Sequence, residues 1–166
     1  LDEYVFPITT LRPETIFGIT NLWVNPNTIY KKIKADDEKW IVSQECTEKL
    51  EFFGKEIVIE GDIKGTDLIG KFAKAPHTEQ EIPIFEAEFV ESGMGTGLVM
   101  SVPAHAPKDY QALMDLKSKN HELASKIEPV PIIVTEGYGE IPAKDVCEKL
   151  GVTDQIDTKL EKATEE

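Results

Sequence analysis

The sequence predicts an α+β fold in which a small, irregular β-barrel or mixed sheet is flanked by helices. Eight or more short stretches are rich in β-branched residues or alternate polar with apolar ones, which is typical of strands. Three or four helical stretches interrupt them at irregular places, unlike the regular alternation of a doubly wound sheet. A chain of 166 residues fits one domain and can bury a core without disulfides.

The first half of the chain is predicted to consist mainly of strands. Pro13 and Gly18 suit the start and the end of one short helix after the first strand. Ser43 suits the N-cap of a second helix that reaches about Phe52. Turns are expected at 25–27, 35–38, 61–62 and 66–70. Strands are expected at 3–10, 21–24, 29–34, 39–43 and 56–60.

The second half is predicted to carry the longer helices. Pro107 starts a helix with apolar residues on one face, and Gly151 ends another helix that begins at Ala143. Residues 153–166 are expected to form a polar helix that frays. Further strands are expected at 82–85, 86–90, 98–102 and 129–134.

Charge and composition restrict the function classes. The chain carries 31 acidic and 18 basic residues and a net charge of -13, so it repels a phosphate backbone at long range. A free-standing nucleic-acid binder is therefore disfavoured, and any contact with nucleic acid is expected to be local. No stretch approaches the roughly 20 apolar residues of a membrane span, so no membrane partner is expected. The chain does not begin with Met, which is typical of a piece excised from a longer protein.

The cysteines and two of the histidines give no sign of a metal site. Cys46 and Cys147 lie far apart, without a Cys-x-x-Cys spacing or a nearby histidine. This disfavours zinc and a disulfide framework, and it suits the reducing cytoplasm. His77 and His121 lie in polar segments and are expected to be plain surface residues.

The first motif, residues 9–15 (TTLRPET), places three threonines and the only arginine of the chain at a strand-to-helix turn. The hydroxyls of Thr9, Thr10 and Thr15 can cap backbone amides, or they can hold a water or a ribose hydroxyl. Arg12 can clamp a carboxylate or contact a phosphate. The spacing leaves these alternatives open.

The second motif, residues 95–110 (GTGLVMSVPAHAPKDY), leads from a glycine turn through an apolar strand to a tight turn and a helix. Gly95 and Gly97 permit a close approach of the backbone and strained dihedrals. Asp109, in the first turn of the helix, can complement the helix dipole, or it can be a fixed carboxylate that binds a substrate ammonium. His105, taken alone, is best explained as a structural residue of the turn.

Together, and in this order, the two motifs resemble the editing domain of class I aminoacyl-tRNA synthetases. The first motif, followed by FGITNLWV at residues 17–24, is similar to its threonine-rich region, and the second motif is similar to its other pocket wall. Leu11, the run at 20–23 (TNLW) and the helix segment at 112–117 (ALMDLK) indicate the leucyl enzyme of the archaeal and eukaryotic type. The resemblance covers essentially the whole chain, so residues 1–166 are expected to be a single editing domain inserted in a larger synthetase.

The resemblance implies a set of site residues and their roles. The catalytic residues would be Asp109, which would bind the free α-amino group, and Thr10 and Arg12, which would lie beside the terminal adenosine and the attacking water. Leu11 would contribute its backbone there, but it stands where the bacterial pattern has a second threonine. Thr15 would shape the side-chain pocket and exclude leucine. The substrate-binding residues would be Leu11, Thr15, Met100, Val102 and His105.

The resemblance also implies an activity, its partners and the absence of a cofactor. The activity would be hydrolysis of the ester that joins norvaline, isoleucine or methionine to tRNA(Leu). No metal or cofactor would take part, because ATP and magnesium would serve the parent synthetase at a different site. The partners would be the 3′ end of the mischarged tRNA and the rest of the synthetase, and the isolated domain would be a monomer. Two alternatives stay open: the editing domain of the valyl or isoleucyl synthetase, and a non-catalytic binding or spacer module of the same fold.

Overall fold

The computed structural model describes residues 3–76, 78 and 80–166. His77, for which a surface position is expected, lies outside the described residues. The chain divides into two compact units. Unit 1 contains the residues up to Leu11 together with Leu22–Ala73 and Ile84–Val99, and unit 2 contains Arg12–Asn21, Lys74–Pro83 and Met100–Glu166.

The described part of the chain contains strands, α-helices and one 3₁₀ helix. The strands are β1 (Tyr4–Val5), β2 (Asn21–Val24), β3 (Ile29–Ala35), β4 (Glu38–Ser43), β5 (Ile57–Lys64), β6 (Phe72–Lys74), β7 (Glu81–Glu86) and β8 (Val99–Ser101). The α-helices are α1 (Gln44–Phe52), α2 (Gly65–Leu68), α3 (Pro107–Ser118), α4 (Glu122–Ser125), α5 (Pro142–Leu150) and α6 (Lys159–Glu165). The 3₁₀ helix is Pro13–Gly18, which is the span predicted from its first and last residues.

The strands form two four-stranded sheets, so the predicted mixed sheet is confirmed and the predicted barrel is wrong. The first sheet has the order β1-β4-β3-β5, in which β3 is antiparallel to β4 and β5 and β1 is parallel to β4. The second sheet has the order β6-β7-β2-β8, with β2 parallel to β7. β1, β6 and β8 have only two or three residues, so these strands supply too few ladder hydrogen bonds to close a barrel.

The main core of unit 1 draws on strands of both sheets. The main cluster of buried apolar residues comes from strands and from the segments next to them: Leu22, Val24, Tyr30, Ile41, Ile63, Leu68, Ile84 and Leu98. β5 continues through the turn predicted at 61–62, because β3 pairs with it as far as Lys64. β1 is much shorter than the strand predicted at 3–10, since Pro7 has no N–H group for a ladder. No strand forms at 87–90, where a turn follows β7.

Unit 2 is mainly helical. Helices α3, α5 and α6 pack on one another, and α4 packs on α3. α5 ends as predicted at Gly151, whose φ of 63° lies in the left-handed region. α6 buries Leu160 and Ala163, so it is anchored by packing and is not merely the polar, fraying helix that was expected.

The segment at 129–134 differs from its prediction, because it forms no strand. Pro129 and Pro131 alternate with apolar residues, which gives a strand-like pattern, but both lack the N–H group that a ladder requires. The segment therefore crosses unit 2 as irregular chain between α4 and α5.

Candidate functional site

The 3₁₀ helix fixes the end of the first motif in unit 2. Pro13 occupies its first position, where a missing N–H group costs nothing. Thr15 bonds twice to the carbonyl oxygen of Arg12: its amide donates over 3.0 Å and its Oγ1 donates over 2.7 Å. Thr15 is only 4% exposed. Its hydroxyl is thus used inside the turn, but it donates to a carbonyl group and does not cap an amide, which was one of the alternatives left open by the sequence, and the methyl group is left to contribute shape.

Arg12 is exposed and lies beside an acidic neighbour. Its Nε lies 3.1 Å from Oε1 of Glu14, and both side chains are more than half exposed. An ion pair in such a position contributes only about 0–1 kcal/mol. The pair is therefore weak enough to rearrange, and the geometry is compatible with a carboxylate clamp and with a phosphate contact.

Asp109 ties the first turn of α3 to the end of β8. Its Oδ2 accepts a hydrogen bond from the amide of Val102 over 2.8 Å, and the residue is only 3% exposed. The carbonyl oxygen of Val102 accepts from the amides of His105 and Ala106, both over 3.0 Å, which closes the tight turn. A buried carboxylate is tolerated only when it is hydrogen-bonded. Asp109 therefore does more than complement the helix dipole, because it fixes the geometry of the turn.

Met100 and Val102 are apolar and almost fully buried. Between them, Ser101 is completely buried, and its carbonyl oxygen accepts from the amide of Thr20 over 3.0 Å. The Oγ of Ser101 has no hydrogen-bond partner among the described residues. Since side chains alternate along a strand, Ser101 points away from the side of β8 that carries Met100.

His105 holds another backbone group of unit 2. Its Nε2 accepts a hydrogen bond from the amide of Ile132 over 3.0 Å, so that nitrogen carries no proton and the neutral ring has its proton on Nδ1. Burial, and then the positive charge of Arg12, lower the pKa of His105. The structural interpretation of this histidine is therefore supported, with a partner that the sequence pattern did not indicate.

Thr10 and Leu11 belong to unit 1, and both are exposed, Leu11 completely. In the same unit, the two motifs meet at Thr9 and Gly95. A Cβ added to Gly95 would overlap Oγ1 of Thr9, and Gly95 has a φ of 57°. The close backbone approach predicted for this glycine is thus confirmed.

Gly97 packs against the start of α1, an arrangement that sequence reasoning missed. Gly97 has a φ of 77°, and a Cβ added to it would lie 2.5 Å from Cβ of Ser43. Its carbonyl oxygen accepts from the hydroxyl of Tyr30 over 3.0 Å. Ser43 donates its amide to Thr96 and its Oγ to Ser92, while the same Oγ caps α1 as predicted. The glycine spacing indicated a close approach, but nothing local in the sequence indicated its partner.

One histidine outside the two motifs has a structural role. His121, expected as a plain surface residue, is the half-buried N-cap of α4, where its Nδ1 accepts from the amide of Ala124 over 3.3 Å.

Cys46 and Cys147 are buried free thiols, and burial raises the pKa of Cys147 to about 11. Within the described residues, no group of three or more His, Cys, Asp and Glu side chains is placed to hold a metal ion. None of the helices described is both long and apolar enough to cross a bilayer.

The sequence is similar to a family of editing domains and to whole ligases from archaea. A family model for the leucyl-tRNA synthetase editing domain matches residues 2–130. The chain is 49% identical over 181 residues to the leucine–tRNA ligase of Methanococcus maripaludis (strain C5) and 46% identical over 177 residues to that of Methanocaldococcus jannaschii. Each match covers 98% of the chain and 18% of the ligase, so the chain spans less than a fifth of the length of these relatives.

The fold is similar to two solved structures. The crystal structure of GlLeuRS-CP1 matches with a TM-score of 0.82 and 30% identity, over 98% of the chain and 66% of that protein. The editing domain of the P. knowlesi cytosolic leucyl-tRNA synthetase matches with a TM-score of 0.85 and 20% identity, over 98% and 70%. The second likeness, at this low identity, concerns the fold alone.

Proposed function

The chain belongs to the leucyl-tRNA synthetase editing-domain family, and on this basis we propose that it hydrolyses the ester joining a wrong amino acid to tRNA(Leu) while sparing leucyl-tRNA. The family predicted from the two motifs is confirmed, and the relatives named above are archaeal, in line with the predicted type. The leucyl family match also supports the leucyl enzyme over the valyl and isoleucyl alternatives.

The buried Asp109 is the observation that carries the proposal. Its carboxylate is held by the amide of Val102 in a position sheltered from water. A carboxylate so placed is suited to the α-ammonium group of an aminoacyl ester, because charge-assisted hydrogen bonds are about twice as strong as neutral ones. A spacer module would not need a charge here, since an uncharged oxygen would serve the amide equally well.

Hydrolysis of an aminoacyl ester depends more on aligning the ester with a water molecule than on a strong nucleophile. An aminoacyl ester is already activated, so a positioned water can hydrolyse it with help from the neighbouring ribose hydroxyl. We assign the contacts with the terminal adenosine and this water to Thr10 and to the backbone of Leu11 and Arg12. Asp109 would bind the α-amino group of the aminoacyl ester.

The amino-acid pocket would discriminate by shape. Met100, Val102 and Thr15, all almost fully buried residues, would line it. Isoleucine is an isomer of leucine, so a pocket cannot separate the two by volume. Thr15 is β-branched and therefore rigid, and its turn holds the hydroxyl. Its methyl group would clash with leucine, which branches at the γ-carbon, while norvaline, methionine and isoleucine would pass.

A second site of this kind is needed because one methylene group changes discrimination by only about 1–3 kcal/mol. The substrate would be the 3′ end of mischarged tRNA(Leu), and the rest of a leucine–tRNA ligase would hold the remainder of the tRNA. In this proposal residues 1–166 act as a single, monomeric editing domain in the cytoplasm. Hydrolysis by a positioned water would need no metal or cofactor in this domain. ATP and magnesium would serve the synthetic site of the ligase, which is a different site.

Deacylation assays on four esters test the proposal. Norvalyl-, isoleucyl-, methionyl- and leucyl-tRNA(Leu) are incubated with the protein, and the rates are compared with those without protein. We expect faster cleavage of the first three esters and no acceleration for leucyl-tRNA(Leu). Asp109→Asn is the matched control for contaminating hydrolases and should be inactive. Equal cleavage of all four esters, or of none, would contradict the proposal.

A further inference from the structure

Residues 129–134, here named the strap, cross unit 2 without helix or strand structure. Pro129 and Pro131 restrict the backbone of the strap and remove two of its N–H groups. The next N–H group, that of Ile132, donates to Nε2 of His105 over 3.0 Å. A backbone group of the strap is thus held by a side chain from the tight turn of the second motif.

The strap also lies directly on the end of the 3₁₀ helix. A Cβ added to Gly18 would lie 3.1 Å from the carbonyl oxygen of Val130 and 3.4 Å from Cδ1 of Ile132. Gly18 is buried and its φ lies outside the left-handed region, so a side chain here is opposed by packing against the strap and not by the backbone conformation. The same short helix carries Thr15 and begins next to Arg12.

We infer that the strap holds the 3₁₀ helix and the tight turn of the second motif in a fixed relation, and that His105 is the positioning residue that fastens it through the amide of Ile132. The inference rests on the function proposed above, because Thr15 lies on one of these elements and Asp109 follows the other. His105 would then act through the strap and not by contact with the substrate. Without this bond, the pocket-shaping residue and the ammonium-binding residue would lose their fixed spacing, which should lower kcat more than it raises KM.

The bond requires a neutral ring, because a protonated imidazole has a proton on both nitrogens and cannot accept from an amide. Burial and the charge of Arg12 lower the pKa of His105, so the ring is neutral at neutral pH and the bond is kept. Acidification should therefore release the strap. The charged groups on the elements around the ring are Arg12 and Glu14 at the 3₁₀ helix, Lys108 and Asp109 at the start of α3, and Glu128, which precedes the strap and pairs with Lys117.

Substitutions at three positions separate the bond from other effects. His105→Ala removes the acceptor, whereas His105→Gln offers an amide oxygen near the position of Nε2 and does not titrate. Gly18→Ala pushes on the strap from the side of the 3₁₀ helix without altering His105. Gly61→Ala is its matched control, since Gly61 also has an ordinary φ but faces open space.

Amide hydrogen exchange of Ile132, followed by NMR and expressed as protection relative to the unfolded chain, tests the contact directly. We expect a protected amide at neutral pH in the wild type, with protection falling at least tenfold as His105 protonates. His105→Ala should be unprotected at both pH values, and His105→Gln should be protected at both. An Ile132 amide that keeps its protection in His105→Ala would overturn the inference.

Deacylation of isoleucyl-tRNA(Leu) tests the positioning role. We expect kcat to fall about tenfold in His105→Ala, with a smaller change in KM, and to recover in His105→Gln, which should also lose the acid limb of the pH profile. Gly18→Ala should resemble His105→Ala, and Gly61→Ala should resemble the wild type. Unchanged kcat in a His105→Ala protein that has lost the protection of Ile132 would also overturn the inference. Absence of deacylation in the wild type would contradict the proposed function alone, and the exchange measurement would still decide whether His105 fastens the strap.

Discussion

Thr15 and Asp109 each commit a polar atom to the fold of unit 2. The Thr15 hydroxyl donates to the carbonyl oxygen of Arg12, and the Asp109 carboxylate accepts from the amide of Val102. A simple alanine substitution at either position therefore removes a structural bond together with any contact to substrate. Substitutions that keep the shape or the bond are needed to separate the two.

At Asp109, Asn and Ala should have different effects. Asp109→Asn keeps an oxygen for the amide of Val102 but removes the charge, so we expect a folded protein without deacylation activity. Asp109→Ala leaves that buried amide unpaired, which should also lower the free energy of unfolding by about 1–3 kcal/mol. Urea denaturation measures the free energy of unfolding of the two variants, and deacylation of isoleucyl-tRNA(Leu) measures their activity. Normal deacylation by a folded Asp109→Asn protein would show that Asp109 is structural only.

At Thr15, the methyl group and the hydroxyl can be tested separately. Thr15→Ala should allow cleavage of leucyl-tRNA(Leu), because it removes a clash of about 1–3 kcal/mol. Thr15→Val keeps the branched shape and loses the bond to Arg12, so it should still spare leucyl-tRNA(Leu). Thr15→Tyr should fill the pocket and cleave none of the esters.

Rates for leucyl- and isoleucyl-tRNA(Leu), measured for the three Thr15 variants and the wild type, provide the comparison. If Thr15→Ala cleaves the isoleucyl ester and still spares the leucyl ester, Thr15 is a residue of the turn and does not exclude leucine.

At the scale of elements, the loop before β8 shows how one glycine connects distant parts of unit 1. Gly97 combines a positive φ with close contact to Ser43, the N-cap of α1. Gly54, just after α1, has nearly the same φ, 75°, but faces open space. The two positions therefore differ in packing and share the same backbone requirement.

Gly97→Ala should destabilise the protein more than Gly54→Ala. Both substitutions place a side chain at positive φ, which costs on the order of 1 kcal/mol. Only Gly97→Ala also forces Ser43 away, for which we expect a further cost of about 1–3 kcal/mol. Urea denaturation of both variants measures the difference. Equal free energies of unfolding would show that Ser43 can move aside at no cost.

Local chemistry explains which elements could be predicted. The 3₁₀ helix, α1, α3 and α5 have Pro, Ser or Gly at their ends, and these residues stabilise a helix end whatever the rest of the chain does. The strap looked like a strand because its apolar residues alternate, but whether a strand forms depends on partner N–H groups that two prolines remove.

For the candidate site, the sequence indicated residues but not their bonds. Thr15 and Asp109 were singled out by the two motifs together, and their roles toward a substrate stay a prediction. Their bonds to Arg12 and Val102, and that of His105 to Ile132, depend on how the chain turns back on itself. No spacing rule contains this information. The division into two separate sheets could not be predicted from the sequence either, because it depends on which short strands pair.

At the scale of the whole molecule, net charge sets the expected strength of tRNA binding. With a net charge of -13 and a single arginine, the chain can neutralise only a few phosphates. Each phosphate contact adds a slope of about -0.7 to -0.9 to the dependence of log affinity on log salt concentration. We therefore expect weak binding of tRNA(Leu) and a slope no steeper than about -3.

Fluorescence titrations of labelled tRNA(Leu) at several salt concentrations measure this slope. Arg12→Gln should make it shallower by about 0.7–0.9 if Arg12 contacts a phosphate, and Arg12→Lys should leave it unchanged. Nanomolar affinity with a steep slope would contradict the prediction. An identical slope in the wild type and Arg12→Gln would favour the carboxylate clamp.

The buried hydroxyl of Tyr30, which donates to the carbonyl oxygen of Gly97, also provides an optical signal for the folded state of unit 1. Burial raises the pKa of Tyr30 to about 12, whereas a tyrosine in an unfolded chain ionises near pH 10. Its stabilising effect is complete below about pH 10 and is lost as the pH rises through about 12. The phenolate absorbs at longer wavelength than the phenol, so an alkaline titration follows the ionisation of the tyrosines. The pKa of Tyr4 and that of Tyr110 are raised as well, so the step of Tyr30 is identified by comparison: the latest ionisation of the wild type should be missing in Tyr30→Phe. Ultraviolet absorbance alone would then report whether unit 1 is folded, without an added label.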